Sequence, residues 1–221
     1  MSCKKGKTNC CTNIEVLGIH TDGGMQEVIS VPVDILLPAK NLTDNQMAIV
    51  EPLAIAEHAL RRANVKYNVT VLAVGFTPIV IGLINLAQIA VALVIAMDVA
   101  ENRLQYAKEV IGADFVVDVT ESPVEQIEKI TNGDLAAVVF DATGNKRALE
   151  RGTDYMSHGG RYVLVGLSKG ELVFTHPKIH AKESSILCSR NATIEDFEKV
   201  MEQIHLFPTD SFITHTVPYS E

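Results

Sequence analysis

Between Val69 and Asp98 the chain passes through an apolar segment, a turn at Gly75, a second apolar segment opened by Pro78, and a third that closes on an acid. Strand, turn, helix, strand and acid is the order in which a nucleotide-receiving βαβ unit begins, with the helix N-terminus aimed at phosphate and the acid at a ribose. The glycine fingerprint of such a turn, G-x-G-x-x-G, is broken here, because its three positions hold Gly75, Thr77 and Val80. The β-branched Thr77 stands where a glycine lets backbone approach a pyrophosphate. Val80 adds bulk where a glycine lets helix and strand lie close, an overpacking expected to cost about 1–3 kcal/mol. The scaffold is legible while its phosphate cradle is altered.

Ile79 to Met97 also approaches the roughly 20 apolar residues of a membrane span. Gly82, Asn85 and Gln88 interrupt it, and Leu93–Met97 followed by Asp98 reads as a strand buried on both faces of a parallel sheet. Pro78 suits a first helical turn. The rest of the chain repeats the alternation. Strands are predicted at Val69–Gly75, Leu93–Asp98, Phe115–Val119, Ala136–Asp141 and Arg161–Gly166. The helices between them are predicted at Pro78–Ala90, Glu101–Ile111, Pro123–Thr131 and Lys146–Ser157. Gly112, Asn132-Gly133 and His158-Gly159-Gly160 supply the stops. Such an alternation specifies an α/β fold with a doubly wound parallel sheet and no membrane span.

The first sixty residues differ. Gly, Pro and Asp punctuate short alternating stretches such as Met25–Val31 and Ile35–Leu37, which predicts antiparallel β structure. After Ser184 comes another apolar run, Ile186–Cys188, then a helix from Thr193, whose spacing to Asp196 approximates a capping box. Phe212–Tyr219 reads as a strand without a partner in this chain.

The formal net charge of −8 over 221 residues leaves no Lys/Arg surplus for nucleic acid. The N-terminus is basic but lacks an apolar stretch behind it, so no secretory signal is expected and the sequons at Asn41, Asn68 and Asn191 are chance. Cys3, Cys10, Cys11 and Cys188 are few and lopsided, consistent with reduced thiols and a cytoplasmic location. Gly6-Lys7-Thr8 mimics the end of a P-loop without its earlier glycine or strand. His176 and His180 have helical metal-pair spacing, but Pro177 between them argues against a continuous helix. His20 and Asp22 beside a Gly-Gly turn read as turn residues.

Several segments in order resemble the zinc-dependent medium-chain alcohol and polyol dehydrogenases, in the branch of sorbitol, threonine and sugar-acid dehydrogenases. They are Cys3–Cys11, Thr21–Glu27, Val50–Ala54, His58–Arg62, Asp141–Asn145, His158–Arg161, Gly166–Glu171 and Ser189–Thr193. The resemblance implies a Rossmann domain for NAD(P) beside a β-rich, GroES-like catalytic domain holding zinc, and oxidation of a secondary alcohol in a polyol or sugar acid by a homo-oligomer. It divides the chain into a catalytic-domain remnant over 1–60, a dinucleotide-binding domain over 61–192 and a return toward the catalytic domain over 193–221. It also implies that the family's leading zinc-ligand segment lies before Met1 and its closing strands after Glu221.

Carried over by position, Glu51 matches a family contact to metal or metal-bound water, although an acid preceding Pro52 at a helix N-terminus would look the same. Cys3 and Cys11 match the last two of four structural-zinc cysteines, too few to close a tetrahedral site. Cofactor contacts fall on Gly75, Thr77, Pro78, Ile79, Asp98, Arg103, Thr143, Gly144, Val165, Gly166 and Leu167. Asp98 favours NAD, since a 2′-phosphate would face its charge. Val91 and Leu93 stand where relatives have Gly and a polar or basic residue, and Tyr67-Asn68 replaces a Pro-Gly turn. Together with Thr77 and Val80 these departures predict weakened or lost NAD affinity. A non-catalytic dinucleotide-fold scaffold or oligomerisation module is the alternative.

Overall fold

The computed structural model describes residues 2–90 and 92–219, and Val91 therefore lies outside the described residues. Its centre is a six-stranded, all-parallel sheet of β1 (Thr70–Val74), β2 (Leu93–Asp98), β3 (Phe115–Asp118), β4 (Ala136–Asp141), β5 (Met156–Leu164) and β6 (Ser185–Cys188). The strand order is β3-β2-β1-β4-β5-β6. β1 and β2 pair from Thr70 opposite Leu93 to Val74 opposite Met97. Strand order reverses at β1, with β2 on one side and β4 on the other, so the loops leaving β1 and β4 diverge and open a crevice at the carboxyl edge.

Alternate residues of the buried strands feed two cores. Val71, Ala73, Val94, Ala96, Val138, Phe140 and Val163 face one side of the sheet, with α1 (Asp44–Ala63), α2 (Pro78–Ile89) and α7 (Ile194–Gln203). Leu72, Val74, Ile95, Met97, Val117, Val139 and Tyr162 face the other, with Ile127 of α4 (Pro123–Ile130). This is why these strands read as continuous apolar runs rather than as alternating ones. α1 begins at a capping box between Thr43 and Gln46 and ends at a left-handed Asn64. Its contact with α2 needs Gly82, where an added Cβ would lie 2.8 Å from Leu53 Cδ2 and 3.2 Å from Ala56 Cβ.

Several expected boundaries move. α3 (Glu101–Tyr106) gives way to a π turn over Ala107–Ile111 before the left-handed Gly112. α5 (Lys146–Arg151) stops at a 3₁₀ turn, Gly152–Tyr155, and β5 begins at Met156 rather than Arg161. The cause is packing: Gly152 lies against the buried Tyr162 ring, so close that a Cβ there would stand 2.2 Å from Cζ. The His158-Gly159-Gly160 stop is thus a bulge inside a strand, with the register shifting between Ala136/Met156 and Val138/Arg161. α6 (His176–Ala181) is helical despite Pro177, because the proline occupies the first turn, where its missing N–H is not needed.

The segments read as antiparallel strands, Met25–Val31 and Ile35–Leu37, form none. Val33–Ile35 is a 3₁₀ turn, and Met25 and Val28 are 81% and 83% exposed. Among the described residues before α1 the one β pairing is an isolated bridge between Leu17 and Thr21. An alternating pattern becomes a strand only beside a partner edge. Phe212–Tyr219 likewise forms no strand. It follows a 3₁₀ turn over Thr209–Ser211 that is tied to the body by the Tyr106 hydroxyl donating to Ser211 O at 2.9 Å.

Candidate functional site

The crevice is built from the ends of three strands. β1 runs into Gly75, whose φ of +86° is left-handed and whose Cβ, were there one, would lie 2.9 Å from Thr143 Cγ2, so both conformation and space demand glycine. Thr77 is the N-cap of α2, its hydroxyl oxygen accepting from Val80 N at 3.4 Å, and Pro78 follows as the first helical residue. Of the amides a helix N-terminus offers to an anion, Pro78 supplies none and that of Val80 is turned toward Thr77.

β2 ends at Asp98, which is buried. Its Oδ1 accepts from Val99 N at 2.9 Å and Ala100 N at 3.0 Å, fixing the carboxylate, while Oδ2 lies 3.7 Å from Arg103 Nη1. β4 ends at Asp141, which is fully buried. Burial pushes its carboxyl up, partly offset by the Thr143 amide and hydroxyl donating to Oδ1 at 2.8 and 2.6 Å. Asp141 therefore shapes the Thr143 turn from below. Burial likewise raises the Tyr162 phenol, which donates to Leu149 O at 2.8 Å. The turns after β4 and β5 touch at two glycines: a Cβ on Gly166 would lie 2.4 Å from Gly144 N, and one on Gly144 3.0 Å from Leu167 O.

A cleft of about 400 Å³ lies over these ends. Gly75, Thr77, Asp98, Arg103 and Thr143 line it together. Pro78, Ile79, Gly144, Val165, Gly166 and Leu167 are not in its wall, and Leu167 is 93% exposed. The sequence reading missed Phe76, Val119, Asn145, Arg147, Arg151 and Tyr155, which also line it. Arg147 and Arg151 lie one turn apart on α5. With Arg103 they give the lining three arginines to the single acid Asp98, in a chain whose net charge is −8. Their i, i+4 spacing after a strand was the available signal.

Glu51 does not line the cleft, nor does it begin a helix as an N-terminal acid. It sits within α1 ahead of Pro52, and partial desolvation raises its carboxyl. The Cys3 thiol is raised chiefly by hydrogen bonding with Cys11. Among the described residues no group of three or more His, Cys, Asp or Glu side chains gathers to hold a metal. The residues present therefore do not fit a zinc centre, which needs at least three protein ligands.

A second polar assembly binds the N-terminal segment to the body. Asp196 of α7 accepts from Arg61 Nε at 2.8 Å and from Thr193 N at 2.8 Å, and lies 2.8 Å from His58 Nδ1. The other ring nitrogen of His58 is 3.1 Å from Asn9 Nδ2, which donates to Arg190 O at 2.9 Å. Burial works to raise the Asp196 carboxyl, but the hydrogen bonds from His58, Arg61 and Thr193 outweigh it and hold the group well below the usual carboxylate range.

Comparison with known proteins agrees with this architecture. The family model described as zinc-binding dehydrogenase matches residues 78–205. L-galactonate-5-dehydrogenase of Escherichia coli K12 is 39% identical over 99% of this chain and 65% of its own length. A sorbitol dehydrogenase of Halalkalibacterium halodurans is 30% identical over 99% of this chain and 66% of its own. An alcohol dehydrogenase from Escherichia coli CFT073, crystallised with NADH, superposes with a TM-score of 0.90 at 28% identity, covering 100% of this chain and 66% of that one. The chain thus spans about two thirds of the length of these relatives. With more than half of its residues matched by one family and its whole length superposing on a solved relative, the chain belongs to the zinc-binding, medium-chain dehydrogenase family.

Proposed function

We propose that this chain serves the NAD-linked oxidation of a secondary alcohol in a polyol or sugar acid, its parallel sheet holding the dinucleotide. One observation carries the reading: the carboxyl-edge cleft joins a glycine turn, a fixed acid and three arginines in an otherwise acidic chain. That combination suits a ligand with ribose hydroxyls and phosphates. NAD, when bound, would supply the hydride acceptor. Asp98 and Arg103 would hold the adenosine ribose, and Gly75, Thr77, Pro78 and Ile79 the pyrophosphate. Thr143, Gly144, Val165, Gly166 and Leu167 would continue along the carboxyl edge. With Pro78 and Thr77 in the cradle, the affinity is weaker than a three-glycine turn would give.

The substrate class follows from the relatives' names, galactonate and sorbitol dehydrogenases. Residues 1–60 correspond to part of a catalytic domain, 61–192 to the dinucleotide domain and 193–221 to the return. A cytoplasmic homo-oligomer joined through the free edge of β6 fits the same reading. No step is assigned to Glu51, Cys3 or Cys11.

Calorimetric titration with NAD and NADP tests the proposal. The parent chain is expected to prefer NAD, and Asp98→Asn, which keeps the backbone hydrogen bonds but removes the charge, is expected to narrow or reverse that preference. A folded chain that takes up neither dinucleotide at millimolar concentration would overturn it. NAD binding without turnover of any polyol or sugar acid would favour the scaffold reading, which rests on the absence of an assembled metal-ligand group among the described residues.

A further inference from the structure

We propose that α6 carries a two-histidine binding site for a borderline divalent transition cation, of the class of Cu(II) and Ni(II), separate from the crevice. His176 opens the helix and His180 follows one turn later on the same face. Their ring centroids are 5.6 Å apart, with the planes inclined at 60°. Two imidazoles bound at about 2.0–2.1 Å to adjacent corners of one tetragonal cation have centroids about 4.5 Å apart, so rotation about the side-chain bonds that closes the rings by about 1 Å would bring both nitrogens to a shared ion. Both residues are exposed, and neither imidazole has a hydrogen-bond partner among the described residues, which leaves the ring nitrogens available.

The neighbouring cations are engaged elsewhere. Lys178 pairs with Asp154 at 3.0 Å, and Lys182 donates to Met156 O at 2.6 Å. Imidazole suits the later first-row metals, among which Cu(II) binds most tightly, and water would fill the remaining positions. A cation bridging positions i and i+4 would also staple this six-residue helix ahead of the edge strand β6 and raise the melting temperature.

Copper titration of the full chain tests the site, with Cys3, Cys10, Cys11 and Cys188 replaced by Ser so that thiols do not compete. Expected are one Cu(II) per chain, a nitrogen hyperfine pattern from two imidazoles in electron paramagnetic resonance, and a thermal shift. His176→Ala and His180→Ala, singly, should each weaken binding at least tenfold and leave a one-nitrogen pattern. Unchanged affinity in the double variant, binding only when the cysteines are present, or no uptake of copper would each overturn the proposal.

Discussion

Thr77→Gly should strengthen NAD binding, against the usual expectation that a substitution in a binding loop weakens it. Thr77 stands at the N-cap of α2, and its hydroxyl takes the Val80 amide at 3.4 Å, at the long limit of a hydrogen bond. Replacing an N-cap Thr with Gly costs only about a few tenths of a kcal/mol. The change frees the Val80 N–H and removes the branched side chain from the cleft wall. A hydrogen bond from that amide to a charged phosphate contributes about 1.5–3 kcal/mol. Taking the lower figure, because Pro78 leaves the helix start one donor short, the affinity for NAD should rise by about tenfold. Titration calorimetry of parent and variant, with matched thermal melts to confirm that stability falls by well under ~1 kcal/mol, reads the effect. Equal or weaker NAD binding in a folded Thr77→Gly chain would refute the argument that this residue limits the cradle.

Two further outcomes concern stability. Gly152→Ala places a Cβ 2.2 Å from the ring of fully buried Tyr162, whose hydroxyl is committed to Leu149 O, so overpacking plus a lost hydrogen bond should cost about 3 kcal/mol and lower the melting temperature by roughly 6–12 °C. A shift under about 2 °C would show that the 3₁₀ turn is not held by this contact. Asp196→Asn removes the anion shared by His58 and Arg61. Because the Arg61 side chain is 39% exposed and partly screened, the loss should be about 2–3 kcal/mol rather than the full value of a buried pair. Asp196 has a folded pKa below its unfolded one, so its contribution is fully present above about pH 4 and disappears as pH falls toward the folded value. Denaturant melts of the parent should therefore lose stability across that acid range, and Asp196→Asn should flatten the loss. Parallel acid profiles for parent and variant would refute it.

Much of the sheet was readable because its signals are local. A short apolar run closed by Asp98 reads as a buried strand, Pro78 as a first turn, Gly112 and Asn132-Gly133 as stops, and each behaves so in the structure. Pro177 misled because the same residue that breaks a helix interior is harmless in its first turn, and position within the element is settled only when the element forms. Met25–Val31 misled for a different reason, since alternation is half of a strand and the other half is a partner. In the candidate cleft, Gly75 and Asp98 were legible from the βαβ order. Arg147 and Arg151 were passed over, because their place in the cleft wall depends on where the fold sets α5.

From residues alone came the parallel α/β alternation, the altered glycine turn and the family likeness, all properties of windows a few residues wide or of motifs in linear order. Only tertiary structure decided that Glu51 lies within a helix away from the cleft, and that three arginines share the cleft wall with one acid. The physical reason is that capping, turn chemistry and burial act over one or two helical turns of chain. Charge convergence and ligand geometry depend instead on which distant segments the sheet order sets side by side.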